Sequence, residues 1–420
     1  LRTKAEPNGD GSWAISGQKI YITWGEHDCA ENIIHLVLAR TPDGAAGTKG
    51  ISLFIVPKFI PDADGNPGER NALQAIGLEH KMGIHGSPTC TMEYDGAKGW
   101  LLGDEFKGMA AMFIMMNSAR LNVGVQGVGI AERAYQQALA YAKDRKQGRA
   151  INMDDHGPHA IIHHPDVRRT LAVMKAKIEA GRAICYHAAV EADLGEHHDD
   201  ADEKAWSKRR EDLMIPIAKA WCTDMGVDVA SMGVQVHGGM GFIEETGAAQ
   251  HLRDARIAPI YEGTNGIQAI DLVGRKLARD AGTAMGELIE DVRQTIEDCI
   301  TSSNPELPVL AEALKPACDA LEEATAFMLK ASDADRLAGA TAYLKLAGDV
   351  TGGWLLCVGA VAAQRKIKEA DGDESYAQAR ISIANIFAQS VLTGAQGLLG
   401  EIQIGYDPIF APGETVLESA

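Results

Sequence analysis

Apolar and polar residues alternate in short runs through the first hundred positions, and a helical period then takes over almost to the C-terminus. The runs SWAISGQKIYIT (12–23), IIHLVLAR (33–40), ISLFIVP (51–57) and TCTMEYD (89–95) are rich in β-branched and aromatic residues, with Gly, Pro, Asp and Asn between them. Such runs predict strands. PNGDG (7–11) reads as a hairpin turn, and residues 60–75, with their Pro and Gly, as a surface loop. From about 104 the period changes. Phe106, Ala110, Phe113 and Ile114 open a helix expected to reach the Arg145–Gly148 break. A second spans about 165–194, with Val167, Leu171, Met174, Ile178 and Ile184 on one face; a third covers about 203–236, and a fourth begins after Asn265. Four long helices with short connections describe a bundle. Beyond about 300, helical stretches recur at 310–331, 337–369 and 376–399, after the breaks Asn304-Pro305 and Leu307-Pro308. The closing GYDPIFAPGETVLESA has no period. The predicted class is α+β, mainly α, with a β domain over 1–103, a helical bundle over 104–300 and an added helical subdomain over 301–420.

Composition narrows the function classes. A net charge of −18 over 420 residues argues against nucleic-acid and anionic-membrane partners, which select basic patches. Seven scattered cysteines without a C-x-x-C pair read as reduced thiols of a cytoplasmic protein, not as a disulfide framework or zinc site. Val350–Gln364 is too short and too Gly-rich to span a bilayer. The chain begins at Leu1 and enters strand-like sequence at once, so it is expected to be a piece of a longer protein.

The candidate chemistry lies in YEGTNGIQ (261–268), directly after RDARIAPI. Glu262 stands before Gly263, Thr264, Asn265 and Gly266, and then Ile267, Ile270, Val273 and Leu277 take up a helical pattern. Gly and Asn tolerate unusual backbone angles, so the chain can turn sharply here. Asn265 with Gln268 three residues on has the form of a capping box. Glu262 is thereby placed on a turn before a helix. It is either a general base, or an acidic residue that complements the positive end of the helix dipole.

Other features carry plainer readings. GVQGVG (124–129) sits inside a helical pattern and predicts close helix packing, not a nucleotide loop. His156, His159, His163 and His164 fit no standard metal spacing and read as surface histidines. Met109, Met112, Met115 and Met116 read as core or pocket lining. Arg120 interrupts an apolar helix stretch and calls for either an internal ion pair or an anion.

YEGTNGIQ, taken with QVHGGMGF (235–242), GQKIYIT (17–23), HKMGIHGSPT (80–89) and DRKQGR (144–149), resembles the acyl-CoA dehydrogenases, in family order from residue 1 to about 280. GEHD (25–28), the wording of 77–89 and the extra helices resemble a C-terminally extended subfamily. The resemblance implies a β-barrel-like middle domain before the bundle, FAD as cofactor, and dehydrogenation of an acyl-CoA thioester to a trans-2-enoyl-CoA. The acyl group would be 3-methylmercaptopropionyl or fatty acyl, the latter in β-oxidation. Glu262 would take the α-proton while the β-hydrogen leaves as hydride to flavin N5. The backbone N–H of that glutamate, with a flavin ribityl hydroxyl, would stabilise the enolate.

The same resemblance implies flavin contacts at Tyr21, Ile22 and Thr23. Arg145 and Gln147 would reach the FAD of a neighbouring subunit, as would Gln235, Gly238 and Gly239 of the Gly-rich loop and Thr264, Asn265 and Gly266. An arginine suits a pyrophosphate, because its planar fork pairs phosphate oxygens. Asn117 and Arg120 would touch the CoA moiety near the thioester, and Gly263 would line the thioester pocket. No metal is implied. Trp24 and Gln147-Gly148 depart from the residues common in the family. Electron-transfer flavoprotein would be the acceptor, and a homodimer or homotetramer would clamp each FAD between two chains. An N-terminal part would supply a further flavin-binding strand and one wall of the acyl pocket, so the 420-residue chain alone is expected to bind FAD weakly or not at all. An acyl-CoA oxidase of the same fold and a non-enzymatic helical binding protein are the alternatives.

Overall fold

The computed structural model describes residues 1–153, 155–369 and 372–418, in two compact units, Leu1–Ser118 and Ala119–Ala420. In the first, the strands are β1 (Lys4–Pro7), β2 (Trp13–Thr23), β3 (Ile34–Ala39), β4 (Ser52–Pro57), β5 (Phe59–Pro61), β6 (Pro67–Arg70), β7 (Leu73–Leu78) and β8 (Thr89–Leu101). The sheet order is β1-β2-β8-β4-β3 with β7 also on β8, and every pairing is antiparallel. The two-residue period turns His35, Val37 and Ala39 of β3 and Cys90, Met92 and Tyr94 of β8 inward, with Ile15 and Phe54. The edges β1 and β3 meet end to end: Ala5 donates to Arg40 O at 2.8 Å, and Arg40 donates to Thr3 O at 3.0 Å. That contact joins the two ends of the path and makes the sheet barrel-like. Residues 60–75 are not the loop expected. They hold the β5–β6 hairpin and the start of β7, around a turn in which Asp62 Oδ1 accepts from the N–H groups of Asp64 and Asn66 at 2.9 Å each. Pro61 and Pro67 fit because they pair at the hairpin's ends, where a missing donor is tolerated.

The long helices are α1 (Gly108–Asp144), α2 (Pro165–His197) and α3 (Ala201–His237), followed by α4 (Ala248–Ala255), α5 (Asn265–Asp271), α6 (Leu277–Arg279), α7 (Thr283–Ile300), α8 (Glu306–Lys330), α9 (Asp333–Ala338), α10 (Ala340–Glu369) and α11 (Glu374–Ser390). The division between units falls inside α1, at Ser118/Ala119. Pro165 opens α2, where its missing N–H is not needed, and Asp200 caps α3 by accepting from Asp202 and Glu203 N–H at 2.8 and 3.1 Å. GVQGVG does serve helix packing. A Cβ on Gly124 would stand 2.8 Å from Ala218 O, and one on Gly127 only 2.4 Å from Cys222 O, so α1 and α3 touch backbone to backbone.

The helices beyond 300 form no separate core. One apolar cluster runs from Val128 to Ile402. Trp221 of α3 donates to Asp349 of α10 at 2.9 Å, Trp354 of α10 to Thr295 of α7 at 3.0 Å, and Arg380 of α11 to Glu179 of α2 at 3.1 Å. Among the described residues, α10 is long and apolar enough to cross a membrane, but 67% of that stretch is buried inside the unit, as befits a core helix. The tail, expected without period, contains single helical turns at Asp407–Phe410 and Thr415–Glu418, and the Tyr406 ring stacks on Phe410 at 4.0 Å.

Candidate active site

The segment between α4 and α5 turns as the sequence requires. Glu262 (φ 55) and Gly263 (φ 83) are both left-handed. Glycine adopts that geometry freely, whereas a glutamate there is strained. Two left-handed residues in succession turn their carbonyls to one side, and buried side chains hold them. Gln268 Nε2 donates to Glu262 O and Gly263 O at 3.3 Å each, and Lys219 Nζ donates to Gly263 O at 2.9 Å. The N–H groups of Glu262, Gly263 and Thr264 donate to no protein acceptor among the described residues. The half-buried Glu262 carboxylate likewise makes no hydrogen bond or ion pair among them. A free base beside free backbone donors is the arrangement that proton abstraction next to a carbonyl needs.

The helix start differs in detail from the capping box expected. Thr264 is the cap: its hydroxyl accepts from Ile267 N–H at 3.3 Å. Asn265 instead joins α3. It accepts from Lys219 Nζ at 2.8 Å and donates to Ala220 O at 3.1 Å and Thr223 Oγ1 at 3.0 Å. Gln268 reaches back past the cap to the two carbonyls. Thr264 and Gly266 are exposed.

Arg120 makes the internal ion pair. It donates to Asp271 at 2.9 Å, with the two side chains only 5% and 3% exposed. Asp271 also accepts from Arg275 Nε at 2.6 Å, where α5 passes through a π turn, Leu272–Lys276. A Cβ on Gly263 would come 3.9 Å from the Arg120 guanidinium, so the pair lies beneath the loop. Asn117 stands one turn earlier on α1. Lys219, which sequence reasoning missed, is fully buried, and burial brings its amine down to about 8 even though Asp224 and Glu262 act against the shift. Only its place in the α3 apolar run could have drawn notice. Behind α5 a cavity of about 610 Å³ is lined by Trp221, Asp224, Asn265 and Ala269 together with Lys345 and Leu398. The C-terminal helices thus wall the back of the loop's helix.

Arg145, Gln147, Gln235, Gly238 and Gly239 come together, as the sequence grouped them, along a groove of about 890 Å³. The Arg145, Gln147 and Gln235 side chains are exposed and make no hydrogen bond or ion pair among the described residues. A Cβ on Gly238 or Gly239 would meet nothing within 4 Å. The floor is Tyr141 against His237, ring centroids 4.5 Å apart. A free guanidinium, two free amides, bare backbone and an aromatic floor fit the phosphates and ring of a dinucleotide. Of the neighbouring histidines, His159 departs from the surface reading. It is buried, accepts from Ala150 N–H at 3.0 Å and pairs with Asp155, while His164 bonds Gln147 O at 2.7 Å. Both staple the loop that presents Arg145 and Gln147.

In the β unit, the pairing of β2 with β8 slips between Lys19 and Ile22. The bulge leaves Tyr21 left-handed (φ 60) and 68% exposed. Ile22, Thr23 and Trp24 border a cavity of about 320 Å³ with Lys19, His35 and Tyr94. A bulge that re-aims an aromatic beside a cavity is a feature of binding surfaces.

Two family models match the chain: acyl-CoA dehydrogenase, C-terminal domain, over residues 107–277, and acetyl-CoA dehydrogenase C-terminal like, over 288–411. The chain is 47% identical over 395 residues to a 3-methylmercaptopropionyl-CoA dehydrogenase of Ruegeria pomeroyi, covering 93% of this chain and 67% of the relative. It is 37% identical to the broad-specificity linear acyl-CoA dehydrogenase FadE5 of Mycobacterium tuberculosis, with coverages of 93% and 67%. It is 36% identical to a butyryl-CoA dehydrogenase of Syntrophomonas wolfei, with coverages of 96% and 68%. Among solved structures, Caenorhabditis elegans ACDH-11 in complex with C11-CoA superposes with a TM-score of 0.79 at 22% identity, over 100% of this chain and 65% of that one. A Bacillus anthracis acyl-CoA dehydrogenase complexed with FAD gives 0.73 at 22% identity, over 96% and 66%. These two likenesses speak for the fold. The chain spans about two thirds of the length of these relatives.

Proposed function

The chain belongs to the acyl-CoA dehydrogenase family of oxidoreductases, and from that premise we propose that it carries out FAD-dependent α,β-dehydrogenation of an acyl-CoA thioester with Glu262 as the base. The observation that carries this reading is the loop at 262–264, where an unengaged carboxylate and unengaged N–H groups are held in place from behind. An α-proton is a very weak acid, so its removal needs both a placed base and donors for the enolate oxygen. Glu262 would take that proton, and its own N–H would stabilise the oxygen. The α and β carbons each lose one C–H bond and gain the double bond between them. Bound FAD supplies the two-electron sink for the β-hydrogen, which departs as hydride toward N5.

Arg145, Gln147, Gln235, Gly238 and Gly239 would hold the phosphates and adenosine end of FAD from a second copy of the chain, with Thr264, Asn265 and Gly266 near by. Tyr21, Ile22 and Thr23 would face the flavin ring. Asn117 and Gly263 would border the thioester. We place the acyl group among linear fatty acyl and 3-methylmercaptopropionyl chains, in keeping with the names of the relatives. The acceptor would be electron-transfer flavoprotein, the assembly a homodimer or homotetramer, and the compartment the cytoplasm.

The test is anaerobic mixing of the full-length, FAD-loaded protein with short, medium and 3-methylmercaptopropionyl-CoA while the flavin absorbance is followed. Bleaching by the wild type, with Glu262→Gln binding thioester but slowed by roughly 100- to 10,000-fold, is the expected result. Bleaching of Glu262→Gln at the wild-type rate removes Glu262 as base. No bleaching of the wild type by any thioester removes the activity.

A further inference from the structure

Lys219 occupies a place that a neutral donor could fill at lower cost. It is 0% exposed on α3, its ammonium meets no carboxylate within ion-pair distance among the described residues, and its two acceptors, Gly263 O at 2.9 Å and Asn265 Oδ1 at 2.8 Å, are neutral. Burying a charge on neutral acceptors is unfavourable, and cores normally avoid it. For the same purpose of tying a loop carbonyl, Gln268 supplies an uncharged amide to Glu262 O and Gly263 O at 3.3 Å. A lysine kept at that cost, and tied to both Gly263 O and Asn265, points to a role beyond filling the core.

We infer that Lys219 is a positioning residue for Glu262: it locks the left-handed turn at 262–263 through Gly263 O and Asn265 and so aims the carboxylate that the turn carries. The inference rests on the reading of Glu262 as base. The charges around Lys219 are of both signs. Asp224 on its own helix and Glu262 on the loop favour its ammonium, and Arg120 on α1 opposes it. The remaining charged groups near by are already engaged. Asp271 on α5 binds Arg120 and Arg275, and Asp349 on α10 binds Trp221 and Lys345. Tyr261, the loop's other titratable group, bonds Gln126 and is driven to higher pKa chiefly by burial, with the Glu262 charge adding to that. Asn265 completes the mount. Its Oδ1 accepts a hydrogen bond from Lys219 Nζ, and its amide nitrogen donates to Ala220 O and Thr223 Oγ1, whose hydroxyl in turn donates to Lys219 O at 2.8 Å. A closed ring of hydrogen bonds thus fixes the lysine, the asparagine and the turn as one unit.

The experiment measures kcat and KM for the full-length, FAD-loaded wild type, Lys219→Gln, Lys219→Met and Glu262→Gln, with flavin content and circular dichroism as checks of folding. Lys219→Gln keeps a donor and removes the charge. Its kcat should stay within about tenfold of wild type, because an amide can still hold Gly263 O. Lys219→Met loses tether and charge, and kcat should fall about 100-fold with KM little changed. A Lys219→Met protein with wild-type kcat, or a Lys219→Gln protein as impaired as Lys219→Met, overturns the proposal while Glu262→Gln remains inactive. If Glu262→Gln itself turns over normally, the base assignment has failed, and that result is distinct from failure at Lys219.

Discussion

Replacing Asp271 by Asn tests whether the buried ion pair beneath the loop is structural. Arg120 and Asp271 meet at 2.9 Å with side chains 5% and 3% exposed, so neither charge regains water when its partner is removed. Breaking such a pair costs about 3–5 kcal/mol. The two halves are unequal. Asp271 has a second cation, Arg275, at 2.6 Å and 48% exposed, so Arg120→Met leaves the carboxylate held and should cost about 2 kcal/mol, the scale of one charge-assisted hydrogen bond. Asp271→Asn takes the carboxylate away from two cations, Arg120 and Arg275, and should cost the full range. Thermal unfolding followed by circular dichroism at one scan rate ranks the variants, since a chain of this size need not unfold reversibly. pH supplies a second axis. Burial pushes the Asp271 carboxyl up, but the Arg275 hydrogen bond and the charges of Arg275, Lys276 and Arg120 outweigh it and hold the group below the ordinary carboxylate value. Its folded value thus lies under its unfolded one, so the stabilisation is complete at neutral pH and disappears as pH falls from the ordinary value through the lowered one. Asp271→Asn should lack that acid loss. An Asp271→Asn protein within about 1 kcal/mol of wild type, or an Arg120→Met protein less stable than Asp271→Asn, refutes the reasoning.

Gly127→Ala places a methyl 2.4 Å from the Cys222 carbonyl and should destabilise by about 1–3 kcal/mol, whereas Gly129→Ala, with nothing within 4 Å, should be neutral or stabilising; paired thermal melts decide. Arg145→Gln should weaken FAD binding by roughly 10- to 100-fold, read by fluorescence titration of the full-length apoprotein, and unchanged affinity removes Arg145 from the site. His187 is driven down to about 4 by burial and by Arg210, against Asp291, with Glu191 3.8 Å away on its own helix and the Trp354 ring beside it. Its folded value lies below its unfolded one, so stability should fall by about 3 kcal/mol as pH drops from about 6.5 to about 4. His187→Gln should flatten that slope in acid unfolding curves, and an unchanged slope would exclude the histidine as its source.

Much of the site can be read in the sequence because its signals are local. Gly263 and Asn265 beside Glu262 mark a turn, and the apolar period after Gly266 marks a helix; both need only neighbours in the chain. The same holds for the strands at 13–23 and 34–39, and for the glycines of 124–129, whose helical setting excluded a nucleotide loop. The readings left open, missed or revised depend mostly on packing beyond the local sequence. Arg120 could face an anion or a carboxylate until folding brought Asp271 to it across 151 positions. Lys219 lies 44 positions before the carbonyl it holds, and nothing in its own segment distinguishes it. Thr264 takes the cap because packing against α3 claims Asn265 first. His159 becomes a buried staple only because the 145–164 loop folds back on itself. The sequence by itself determined the elements, the turn and the carboxylate it presents, since these follow from backbone preference and apolar period. Only the tertiary structure decided which buried charges meet and what supports the turn, because those pairings depend on the packing of helices distant in sequence.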